Sequence, residues 1–111
     1  MLRQRVKLFI IVLALINLAC AATQHVMWKP PSSSTEAWFI KVSPSPFGHE
    51  IKIIIDGTTV IAGNCATDKK AEYNADYQNR HIKAFMTYEM PTHEEHVDVY
   101  VDESLVGTFV F

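Results

Sequence analysis

The stretch Ile51-Lys52-Ile53-Ile54-Ile55-Asp56-Gly57-Thr58-Thr59-Val60 decides the fold class. Ile51, Ile53 and Ile55 recur at a period of two, the spacing that places side chains on one face of a strand. β-Branched residues lose side-chain freedom in a helix and pack well on a pleated surface. Asp56-Gly57 then supplies the dipeptide of a tight hairpin turn, so residues 58–63 are expected to return as a partner strand.

A second stretch reads the same way. At an offset of 46 residues, Ile51, Ile53 and Ile55 fall on Val97, Val99 and Val101, Asp56 falls on Asp102, and Val60 falls on Val106. Either an internal duplication or two unrelated hairpins that both turn on aspartate would produce this pattern. Both readings predict two hairpins, the second returning through residues 105–111.

Outward from these, Trp38-Phe39-Ile40-Lys41-Val42 is a short strand closed by Ser43-Pro44-Ser45-Pro46-Phe47-Gly48, which is turn chemistry. In the middle, Tyr73, Ala75 and Tyr77 alternate, Gln78-Asn79-Arg80 turns, and Ile82, Ala84, Met86 and Tyr88 alternate again. A helix capped by Thr67 or Asp68 and running to Gln78 competes there, but the tyrosines and asparagines disfavour it. Strands are the expectation, ending at Pro91. About seven short strands with regular turn signals predict an all-β domain, an antiparallel β-sandwich of immunoglobulin-like or transthyretin-like type. The expected core is Trp38 or Phe39, Ile40, Val42, Ile51, Ile53, Ile55, Val60, Ile82, Ala84, Met86, Val97, Val99, Val101, Val106 and Phe109.

Residues 1–22 differ in kind. Arg3, Arg5 and Lys7 precede an apolar run from Leu8 to Leu18 broken only by Asn17, and Ala19-Cys20-Ala21-Ala22 follows. That order is a secretory signal, and its apolar run, about 15 residues even when counted through to Ala22, falls short of the roughly 20 of a membrane span. Ala19-Cys20-Ala21 fits an ordinary cleavage site. Leu18-Ala19-Cys20 resembles a bacterial lipobox, in which Cys20 would carry lipid, although Asn17 stands where leucine is usual. Residues 23–35, with Lys29-Pro30-Pro31-Ser32-Ser33-Ser34, are expected to form a flexible tether, and residues 36–111 the folded domain.

The chain of 111 residues holds one domain. With residues 1–22 removed, seven of the ten basic residues and all twelve acids remain, a net charge of −5. That balance opposes nucleic-acid binding, which needs a basic surface. Membrane contact is expected only through an N-terminal lipid or an uncleaved leader.

Candidate chemistry is sparse. His93-Glu94-Glu95-His96, with Glu89 and Asp98 nearby, offers nitrogen and carboxylate ligands suited to zinc or copper. Residues three apart point to opposite faces of a strand, so His93 and His96 converge only if this stretch is looped. His49 is the third candidate ligand. Cys65 is a thiol without a base placed beside it by the sequence. No nucleophile elbow, phosphate loop or dinucleotide fingerprint occurs, so no catalytic residue and no cofactor is assigned. The final strand ends Thr108-Phe109-Val110-Phe111, and at a sheet edge it would accept a partner strand. The resulting expectation is an exported, non-catalytic envelope protein binding another envelope protein or surface component. It would be periplasmic or attached to the outer membrane, or else secreted. The alternative function is zinc or copper binding through His93 and His96.

Overall fold

A computed structural model describes residues 23–30, 37–46 and 48–111. Nine strands make up 72% of the described residues, and none of those residues is helical. The strands are β1 (Gln24–Trp28), β2 (Trp38–Pro44), β3 (Glu50–Ile55), β4 (Thr58–Asn64), β5 (Ala66–Thr67), β6 (Ala71–Tyr77), β7 (Arg80–Glu89), β8 (Glu94–Val101) and β9 (Ser104–Val110). One antiparallel sheet runs β1-β2-β3-β4. The other places β7 between β6 and β8, with β9 beyond, and the short β5 pairs in parallel with the far end of β7.

Alternation explains the core. Ile40, Val42, Ile51, Ile53 and Ile55 from the first sheet and Ile82, Ala84, Met86, Val97, Val99 and Val101 from the second are fully buried in one cluster. Burying each larger side chain contributes about 1.5–3 kcal/mol.

The structure departs from the sequence-based expectations in several places. Gln24–Trp28, placed in the tether, is a paired strand, because its Val26 and Trp28 face inward opposite Ile40 and Trp38. Of the alternatives Trp38 and Phe39, the core takes Trp38, as one of the two expectations had it, and Phe39 is exposed. Val60 and Val106 are only half-buried, because each is the extra residue at a register shift, between Ile53/Ile54 and between Val99/Tyr100 respectively. A bulge flips the side-chain parity beyond it, which brings Ile61 to the core in place of Val60. Antiparallel neighbours follow sequence order in both sheets, whereas an immunoglobulin-type sandwich has Greek-key connections. Residues 1–22, including Cys20 and the leader, and residues 31–35 of the tether lie outside the described residues.

The match seen at an offset of 46 in the hairpins continues, at offsets of 42 and 49, into the strands before them. In the first unit Ile55 pairs with Thr58 across Asp56-Gly57, and in the second Val101 pairs with Ser104 across Asp102-Glu103. The aspartates act alike. Asp56 Oδ1 accepts from the Phe39 N–H (2.9 Å) and Asp102 Oδ1 from the His81 N–H (3.0 Å). Asp56 N–H donates to Phe39 O and Asp102 N–H to His81 O. Past the bulges, Cys65 N–H donates to His49 O and Phe111 N–H to Glu95 O. The preceding strands match as well. Val26 lies opposite Ile40 and Ala75 opposite Ile82, while Trp28 lies opposite Trp38 and Tyr77 opposite Arg80. The described residues thus hold two four-stranded meanders of matching design, β1–β4 and β6–β9, whose inward faces share one core.

Candidate functional site

The two units differ most at one end. In the first, the β2–β3 ladder stops at Pro44–Ile51, and β3 itself begins at Glu50. The equivalent pair in the second is Met86–Val97, beyond which β7 and β8 continue through Thr87–His96, Tyr88–Glu95 and Glu89–Glu94. This longer hairpin carries most of the titratable groups singled out in the sequence. The linker between the units braces it, since Ala66 and Thr67 pair with Thr87 and Tyr88, and Asp68 N–H donates to Tyr88 O.

Strand parity sorts the side chains into two groups. On the outer face, His96 Nε2 lies 3.0 Å from Glu94 Oε2 and 3.2 Å from Glu89 Oε2. These three ligand atoms all fall within 4.8 Å of one another. On the inward side, His49 Nδ1 meets Glu95 Oε1 at 3.1 Å. The His49 ring lies against Tyr88 with centroids 4.2 Å apart, and the Tyr88 hydroxyl pairs with His93 Nδ1.

His93, His96 and His49 therefore do not form one ligand set. His96 sits in a strand, while His93 sits in the turn with φ of 60°, and the two rings go to different groups. His96 gathers Glu89 and Glu94 instead. The proximity of Glu89 in sequence hinted at this, but only the ladder register sets it opposite Glu94. Asp98 takes a hydrogen bond from Thr108 Oγ1 (2.9 Å) and is not part of the cluster.

Cys65 is buried where the chain leaves the first sheet. Burial, and secondarily the negative charge of Glu95, push its thiol up to about 11, so it stays protonated at neutral pH, and only the thiolate is a nucleophile. His81 belongs to the other end of β7, where it engages Asn74 (2.8 Å) and Asp76 (3.3 Å).

A separate surface concerns partners. Met27 and Phe39 are cross-strand neighbours on the outer face of the first sheet, 58% and 39% exposed, and the His25 ring lies 5.0 Å from that of Phe39. Leu105 and Val110 on β9 are likewise exposed.

Comparison with protein-family models, with curated proteins and with solved structures finds no match for this chain.

Proposed function

We propose that this chain is a small exported, non-catalytic protein of the bacterial envelope that binds another macromolecule through its β body. The observation that carries the reading is the apolar patch on the first sheet. Met27 and Phe39 stand side by side, exposed, with His25 stacked at the margin. Adjacent exposed apolar side chains on a rigid sheet provide contact area at little cost in ordering, which favours association. Export rests on the basic, apolar and small-residue order of residues 1–22, with attachment by lipid if Cys20 is retained. The test is capture from an envelope extract. The reading expects a discrete partner held by the wild-type chain and lost with Met27→Asp/Phe39→Asp, while circular dichroism is unchanged. Identical capture by both forms would refute it.

The second reading, divalent-metal binding, is favoured by the convergence of Glu89, Glu94 and His96. Two carboxylates and an imidazole suit zinc. Zinc titration by calorimetry is expected to show one site that His96→Ala abolishes and His93→Ala leaves intact. Equal binding by the His96→Ala form would dispose of it.

A further inference from the structure

β9 ends its sheet, and its outer edge faces β1 across an open cleft of about 540 Å³ bounded by residues 23–26 and 107–109. No ladder joins β1 to β9 among the described residues. Among the described residues a single side-chain bond crosses the gap, from Gln24 Nε2 to Val110 O (2.7 Å). The equivalent seam between β4 and β6 is shut. There the Tyr73 hydroxyl accepts from Asn64 N–H and donates to Asn64 O, both at 2.9 Å, and residues 65–70 cross from sheet to sheet. An open edge presents unpaired N–H and C=O groups, and soluble proteins usually guard such edges with charge, proline, a bulge or a covering segment. β9, Ser104-Leu105-Val106-Gly107-Thr108-Phe109-Val110, has neither charge nor proline, and its bulge at Val106 leaves the stretch from Gly107 to Val110 regular. β6, on the opposite border of the same sheet, carries Glu72 and Asp76.

We infer that β9 is a self-association edge, to which a second copy of this chain adds its own β9 antiparallel about a two-fold axis. A two-fold pairing sets a strand against itself, so any charge at its centre meets its like. β9 is free of that conflict. Centred on Thr108, the pairing sets Thr108 opposite the partner subunit's Thr108 and Val110 opposite the partner subunit's Val106, while Phe109 stays in its own core over its own Gly107. Threonine pairs and β-branched pairs stabilise antiparallel strands. The second sheet then runs continuously through both copies. This edge is distinct from the Met27/Phe39 patch.

The experiment is light scattering coupled to size-exclusion chromatography of the full mature protein across the micromolar to millimolar range. The wild-type chain is expected to dimerise. Thr108→Lys and Thr108→Glu are each expected to weaken the dimer about tenfold, because like charges then face one another. An equimolar mixture of the two is expected to restore it. Ala62→Lys, at the repeat-equivalent place on β4, is expected to leave it unchanged. Circular dichroism identifies any variant that fails to fold, and Val110→Lys then takes its place. A wild-type monomer at every concentration, a dimer indifferent to both charges, or a mixture that fails to recover would each overturn the inference. Capture that is identical for the wild-type and Met27→Asp/Phe39→Asp chains, with the dimer intact, would count against the proposed function alone.

Discussion

Gly63→Ala is a small change with a calculable consequence. A methyl group at Gly63 would lie 2.6 Å from Cε2 and Cζ of Tyr73 and 2.8 Å from Cδ2. Carbon atoms do not approach that closely, so the ring must move. It is not free to do so, because its hydroxyl holds both backbone groups of Asn64. Keeping the ring in place overpacks the seam at about 1–3 kcal/mol, and letting it swing away instead releases two hydrogen bonds at about 1 kcal/mol each, so destabilisation of about 2 kcal/mol is expected by either route. With a urea m-value of about 1 kcal/mol/M for so small a domain, the unfolding midpoint falls by roughly 2 M. A double-mutant cycle with Tyr73→Phe isolates the mechanism. Tyr73→Phe alone loses the bonds but frees the ring, so the double variant is expected to be more stable than additivity predicts by about 1 kcal/mol. A neutral Gly63→Ala, or strict additivity in the cycle, would refute the reasoning that the β4–β6 seam is locked by Tyr73.

The remaining predictions concern the turn and two titrating groups. Gly57 and Glu103 occupy equivalent turn positions at φ of 83° and 68°, a conformation that glycine adopts freely and glutamate does not. Glu103→Gly is therefore expected to stabilise the protein by about 0.5–1 kcal/mol in urea unfolding. Because the Cys65 thiol is raised from 9.0 to about 11, the unfolded chain loses this proton first. Stability should fall as pH rises from 9 towards 11, and Cys65→Ala should flatten that slope in pH-dependent melting. Asp102 is held below its ordinary value chiefly by the His81 N–H, with Arg80 assisting. Its contribution is present above pH 3.8 and lost as pH falls further, so Asp102→Asn should reduce acid sensitivity in the same assay.

The period-two runs made much of the fold legible. Ile51, Ile53, Ile55 and Val97, Val99, Val101 face the core as alternation required, and Asp56-Gly57 turns where the dipeptide signals it. The bulges at Val60 and Val106 were not legible, since an unpaired residue is a property of the ladder and not of local composition. Nor was β1. Its residues carry no run of β-branched side chains, and pairing with β2 outweighs the weak local preference. The metal-ligand candidates depended on register. His93 and His96 are close in sequence, but His93 stays in the turn while His96 takes the outer face of β8, where Glu89 joins it across the hairpin. Both hairpins turning on aspartate was visible in the sequence. That Asp56 and Asp102 each reach back to the strand before their hairpin required coordinates.

The matching design of the two meanders carries the rest, since it defines the closed seam, the open edge and the hairpin extension. Hydrogen-bond scalar couplings measured by NMR test it most directly. Paired couplings are predicted for Asp56 N–H to Phe39 O together with Asp102 N–H to His81 O, and for Cys65 N–H to His49 O together with Phe111 N–H to Glu95 O. Couplings in one unit without their counterparts in the other would contradict the repeat and the account built on it.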